Sequence, residues 1–203
     1  MPHRARCPAC KANVEVLLRT LYGGVESNWA SGWPCTPDGL EASPVRPVLT
    51  AIHGALVAHR GHAGFVRSRR LPRCDFYVPP GPHGPGFLVE YDEEQHFTAP
   101  RALSLAGVPA GHPVAFDLVR WRDLANSMNK HDNDPAFRDE QRAWYDVLRD
   151  VLPAEHGLGP TSRLLDREIA YCGLDPKNAH DLATFETMLN RPRPPRIGDP
   201  RVN

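Results

Sequence analysis

From Pro47 onward, Val48, Leu49, Ile52, Leu56 and Val57 fall three to four residues apart, the spacing of one helical stripe. Pro47 suits a first helical turn and Gly61 a stop, so the pattern predicts a helix of about three turns. The pattern then changes. Phe65-Val66, Cys74 to Val78 and Gly86 to Asp92 are short runs rich in β-branched and aromatic residues. The last two, separated by Pro, Gly and His, predict a hairpin with a long, stiffened connection. Pro100 and Pro109 mark a loop, Pro113 to Trp121 leads into a polar segment, and 122–136 reads as irregular. An amphipathic helix is expected from about Pro135 to Leu152. Phe137, Trp144, Leu148 and Val151 lie on one face, with Arg138, Asp139, Arg142, Asp146 and Arg149 elsewhere.

The two ends of the chain are patterned less regularly. Cys7-Pro-Ala-Cys10 precedes Val14, Val16, Leu17, Leu18 and Leu21, which predict a short helix, and a Gly, Ser, Trp and Pro-rich loop ends near Cys35. Leu164 to Leu174 fits strand or helix, Asp181 to Leu189 reads as helical, and the Pro/Arg-rich tail from Arg191 is not expected to pack. Strands flanked by helices predict an α/β fold with a mixed central sheet covered on both faces. Three segments follow: an N-terminal CxxC segment (1–40), the principal domain (41–190) and a tail (191–203).

Composition narrows the partners. In 203 residues Lys plus Arg and Asp plus Glu each number 24, so net charge gives no bulk attraction to nucleic acid or an acidic membrane, and any such partner needs a local patch. One exists: no acidic residue falls between Glu41 and Asp75, whereas Arg46, Arg60, Arg67, Arg69, Arg70 and Arg73 do. The 22 prolines and 16 glycines imply generous loops. Five cysteines without a leader-like start argue against a secreted disulfide framework and for a reducing, cytoplasmic setting. No apolar run is long enough to span a bilayer, so a soluble protein is expected.

The candidate chemistry lies in the hairpin. Asp75 sits on its first strand, and Glu90 and Asp92, two apart on the second, must share a face. Three converging carboxylates are costly unless a cation neutralises them, and a divalent metal is the simplest remedy. The alternative is an exposed edge strand whose solvated face carries Glu90 and Asp92 beside Glu93 and Glu94.

Taken in order, Arg73-Cys-Asp75-Phe-Tyr-Val, then Leu88-Val-Glu90-Tyr-Asp92-Glu-Glu-Gln95-His96-Phe97, then Arg138-Asp139-Glu-Gln-Arg142 resembles a known arrangement. It is similar to the PD-(D/E)xK restriction-endonuclease-like superfamily, in its very-short-patch-repair-like branch, over about residues 48–152. The resemblance implies a restriction-endonuclease-like core and a Mg²⁺- or Mn²⁺-dependent nuclease acting on DNA rather than RNA, in restriction, repair or defence. Under it Asp75, Glu90 and the Tyr91 carbonyl bind the metal, Asp92 takes the place of the superfamily lysine, and Gln95 and His96 lie near the scissile phosphate. The glycine usual after the aspartate is Glu93 here.

His96 could shuttle protons near neutral pH or be a satisfied histidine at a strand end. Arg142 could grip phosphate or pair within its helix. Arg67, Arg69, Arg70 and Arg73 could contact the nucleic-acid backbone or protect an edge strand. Cys7 and Cys10 have the spacing of half a zinc site, for which Cys35 is the expected third ligand and His3 or His53 a fourth; a plain dithiol and redox chemistry are the alternatives. Cys74 and Cys172 read as buried small apolar residues. Other functions compatible with the sequence are a nuclease-fold module that binds nucleic acid without cleaving it and a zinc-stabilised subunit of a larger complex. Cutting both strands of a duplex would call for a homodimer or two visits.

Overall fold

The computed structural model describes residues 7–166 and 168–189. Its sheet has four strands, β1 (Glu26–Trp29), β2 (Cys74–Val78), β3 (Phe87–Asp92) and β4 (Ser162–Leu165), hydrogen-bonded in that order. The first three are antiparallel and β4 joins β3 in parallel. A parallel partner requires a long crossover, and residues 93–161 supply it.

Six helices surround this sheet among the described residues: α1 (Pro8–Tyr22), α2 (Arg46–Arg60), α3 (Ala99–Ala106), α4 (Leu118–Met128), α5 (Arg138–Val151) and α6 (Ala179–Met188). Pro8 opens α1 and Pro47 the first turn of α2, while Gly61, at φ 71°, ends α2 in the left-handed conformation that glycine adopts at least cost. On one face of the sheet Val14, Leu17 and Leu18 of α1, with Phe185 of α6, pack on Phe76, Val78, Phe87 and Val89. Burying each such aliphatic side chain contributes roughly 1.5–3 kcal/mol. On the other face Leu49, Ile52 and Leu56 of α2 pack with Trp144, Val147, Leu148 and Val151 of α5 and Leu88 of β3. A third cluster joins Ala102 and Leu105 of α3 to Trp121 and Ala125 of α4.

The α/β class, the mixed sheet and its helical cover are as the sequence predicts. Several local expectations change. Residues 99–106, expected as loop, form α3 because Thr98 caps it, its hydroxyl accepting from the Arg101 N–H at 3.2 Å. Asp117 caps α4 in the same way, at 2.9 Å from the Arg120 N–H, and the helix continues to Met128, into the stretch 122–136 expected to be irregular. Phe65-Val66 is not a strand; a 3-10 turn at Ala63–Phe65 buries Phe65 instead. Residues 164–174 divide into the end of β4 and a 3-10 turn at Tyr171–Gly173. The segment before residue 41 is continuous with the domain, since it supplies β1 to the sheet and α1 to its core. The expected tail from Arg191 and the candidate ligand His3 lie outside the described residues. No described helix is long and apolar enough to cross a membrane.

Candidate active site and thiol cluster

In β2 and β3, Phe76 lies opposite Val89, so the next pair outward is Asp75 and Glu90, with side chains on one face. Each carboxylate accepts from a backbone N–H: Glu90 Oε1 from Asp75 at 3.3 Å and Asp75 Oδ2 from Tyr91 at 2.9 Å. The exposed-edge alternative fails, because β3 is buried along its whole length and Glu90 retains only 4% of its exposure. Asp75, Glu90 and Tyr91 line an open cavity of about 340 Å³ together with Gln95, His96 and Arg142. The Tyr91 side chain is used on the other face, where its hydroxyl donates to Asp166 at 2.7 Å, so Tyr91 has its backbone to offer the cavity.

Two cations absent from the expected site stand beside these carboxylates. Lys11, from the first turns of α1, places Nζ 2.5 Å from Asp75 Oδ1. Arg149, expected on the polar face of an amphipathic helix, is buried; α5 hides most of its length, including Asp139, Glu140, Asp146 and Asp150. The Arg149 guanidinium donates to the carbonyls of Pro72 and Arg73 at 3.0 Å each, and its Nε, without a hydrogen bond, lies 3.3 Å from Glu90 Oε1. Burial raises the Glu90 pKa; Arg149 opposes this and the Asp75 charge adds to it, for a result of about 7.

Asp92 departs from its expected role. It shares the Glu90 face but lies behind the cavity, with Oδ1 accepting from Arg163 and Oδ2 from the Trp121 indole, each at 2.7 Å. Both its oxygens being engaged, Asp92 is not among the acids lining the cavity, which are Asp75, Glu90, Glu93 and Asp146. His96 Nδ1 is 2.9 Å from Asp146 Oδ2 and 3.7 Å from Asp92 Oδ1. Burial disfavours its imidazolium, but the charge and hydrogen bond of Asp146 outweigh this and raise the pKa. With Nδ1 committed, Nε2 is the atom His96 can offer a ligand. Gln95 donates its side-chain amide to Glu93 at 3.0 Å.

Arg142 donates to the Gln95 carbonyl at 2.7 Å and to Asp132 at 2.9 Å, whereas its helical neighbour Asp139 is 3.9 Å away. It therefore holds the turn bearing Gln95 and His96. The arginines before β2 do not alternate along a strand, because that segment is irregular except for a bridge between Arg70 and Pro34. Arg67, Arg69, Arg70 and Arg73 are all exposed. Only Arg73 among these four borders the cavity, and its guanidinium donates to the Asn28 carbonyl at 2.8 Å. Arg67 and Arg70 donate to the carbonyls of Ala136 and Gly32.

The expected third thiol of the CxxC pair is replaced by another. Sulfurs of Cys7, Cys10 and Cys172 lie within 4.8 Å of one another, a grouping able to bind a metal such as zinc. Cys172 is exposed rather than buried. Cys35 is buried in the opposite core, its thiol donating to the Ser68 carbonyl at 3.0 Å and its own carbonyl accepting from Trp144. His53 is remote as well, stacked 5.0 Å from Phe65. Hydrogen bonding from the Cys10 N–H lowers the Cys7 pKa, while burial raises Cys10 to about 11. No disulfide joins the cysteines.

Sequence reading thus missed Lys11, Asp146, Arg149, Arg163 and Cys172. Each lies far along the chain from its partner, and no local spacing signals the pairing. No protein-family model, curated protein or solved structure matches the chain.

Proposed function

We propose that this chain is a metal-dependent nuclease with a PD-(D/E)xK, restriction-endonuclease-like core that hydrolyses phosphodiester bonds, in DNA rather than RNA. The observation carrying this reading is the convergence of Asp75 and Glu90 in one open cavity, with Glu90 buried and incompletely hydrogen-bonded. A group in that condition gains from a cation. The donor set, two carboxylates and the Tyr91 carbonyl, is all oxygen, which suits Mg²⁺ or Mn²⁺ better than a soft metal. When bound, such an ion lowers the pKa of a coordinated water and stabilises charge on the phosphoryl oxygens.

The remaining roles belong to side chains. Lys11 brings to the cavity the positive charge that β3 lacks, and a phosphate oxygen is its natural second partner. His96 is held through Nδ1 by Asp146, whose charge favours its protonated form, and can give the Nε2 proton to a leaving oxygen. Arg142 positions Gln95 and His96 through the Gln95 carbonyl. Asp92 acts from behind the cavity by anchoring Arg163.

A specific observation also favours the non-cleaving module: Lys11 and Arg149 already stand against the two carboxylates, and Glu93 borders the cavity as a further acid. The readings separate on supercoiled plasmid and single-stranded DNA incubated with Mg²⁺, Mn²⁺ or EDTA. The nuclease reading expects metal-dependent nicking, reduced on the order of 10³-fold in Glu90→Ala, since a metal ligand carries several kcal/mol of transition-state stabilisation. DNA binding by folded wild type without cleavage under either metal would favour the binding module. Cleavage surviving in Glu90→Ala would move the site elsewhere.

A further inference from the structure

The three thiols that meet at the start of α1 come from two distant parts of the chain. Cys7 is the N-cap residue of α1, Cys10 lies in its first turn, and Cys172 is the middle residue of the turn Tyr171–Gly173 that follows β4. Four-coordinate zinc with bonds of about 2.3 Å sets sulfurs roughly 3.8 Å apart. Sulfurs already within 4.8 Å reach that separation by small side-chain rotations.

Independent contacts surround the cluster in the manner of a built metal site. The Cys172 N–H donates to Cys10 Sγ at 3.4 Å, the kind of backbone bond that orients and stabilises a coordinating thiolate. The Asn13 carboxamide, one turn further along α1, donates to the carbonyls of Tyr171 and Leu174 at 2.7 and 2.9 Å and so brackets the same turn. Packing alone gives a poor account of the grouping, since Cys172 is exposed and contributes little to a core. Lys11 follows Cys10 directly, so whatever fixes that turn also fixes the approach of Lys11 to Asp75.

We propose that Cys7, Cys10 and Cys172 bind one zinc ion as thiolates, clamping the start of α1 to the turn after β4 and holding Lys11 in the cavity. Cys35, the ligand expected from sequence, takes no part. Among the described residues, these three thiols are the ligands the cluster offers. Zinc occupancy is independent of whether the cavity cleaves DNA, so the two proposals fail separately.

The test uses the full chain purified in reducing buffer without chelators. Elemental analysis should find one zinc per chain, and Cys172→Ser should weaken retention against a competing chelator by at least about tenfold, since loss of a direct ligand costs no less than loss of an outer-shell partner. Cys35→Ser should retain the metal as wild type does. Replacement by Co²⁺ should give a thiolate-to-metal charge-transfer band and tetrahedral d–d bands, a readout in wild type that stands even if Cys172→Ser folds poorly. Hydrogen exchange in residues 8–12 should accelerate when zinc is withdrawn. Wild type that neither contains zinc nor takes it up from an equimolar solution overturns the proposal. So does metal loss in Cys35→Ser equal to that in Cys172→Ser, a Cys7–Cys10 disulfide in place of metal uptake, or exchange in residues 8–12 indifferent to zinc.

Discussion

One face of the sheet is covered mainly by apolar contacts, whereas the other sets a buried ion network beside its apolar cluster. Under α1, Leu17 and Leu18 meet Phe76, Val78, Phe87 and Val89, and the contact is apolar. Under α5, Glu90 and Asp92 from β3 meet Asp146, Arg149 and Asp150, together with Arg163 of β4 and Arg101 of α3. Arg163 is fully enclosed and donates to Asp150 at 2.8 Å and Asp92 at 2.7 Å, while Arg101 reaches Asp150 at 2.8 Å. One strand serves both sides, Val89 and Tyr91 facing α1 and Glu90 and Asp92 facing α5.

Burying an ion network is an inefficient route to stability, because desolvation offsets most of the Coulombic gain. The apolar clusters on both faces therefore carry the stability, and the ion network positions groups around the cavity. Asp92, Asp146 and Asp150 stand among the three buried arginines Arg101, Arg149 and Arg163, and the Asp146 charge favours the protonated form of His96.

The comparison breaks first at Arg163. Arg163→Ala strands Asp92 and Asp150 and should cost about 4 kcal/mol in urea unfolding. A loss below about 1 kcal/mol would mean these carboxylates are solvated without it. Leu17→Ala, on the apolar face, should cost about 3 kcal/mol through lost contacts and a residual cavity, with a pH profile of stability parallel to that of wild type. A profile that changed shape would couple the two faces.

The smallest effect concerns Glu90. Its folded carboxyl keeps a proton up to about pH 7 against an ordinary value of 4.5, so the folded state binds more protons between those values. The associated stability is fully present below about pH 4.5 and is lost as pH rises through about 7. In metal-free buffer Glu90→Gln should lack this decline and melt higher than wild type at neutral pH, read by thermal scans across that range. A wild-type profile identical to that of Glu90→Gln would show that the network, rather than burial, governs this carboxyl.

The hairpin was legible from sequence because its signals are local: β-rich runs, turn residues between them, and carboxylates placed by strand alternation. The same holds for α2, with Pro47 and Gly61 at its ends. The helices α3 and α4 were missed although their signals were also local. Thr98 followed by Pro100 in the first turn is a start signal, as is Asp117 ahead of Leu118, Trp121 and Ala125 at helical spacing, but nearby prolines and polar residues suggested loop. The site was half legible. Asp75 and Glu90 follow from pairing within one hairpin, whereas Lys11, Arg149 and Cys172 arrive through tertiary packing that leaves no periodic trace. Arg149 misled because charge on a helix ordinarily marks a solvated face; here α5 is enclosed by α2, α3 and the sheet.

The cavity also has an order of manufacture. Lys11 leaves the ribosome first, Asp75 and Glu90 follow, and Arg149 and Arg163 come last, after the whole crossover to β4 has been made. Until then β3 lacks its parallel neighbour, and Glu90 and Asp92 lack their arginines. A nascent or prematurely terminated chain ending before Arg149 therefore carries the two carboxylates without the wall that holds them. On the nuclease reading, cutting is deferred until synthesis of the domain is essentially finished.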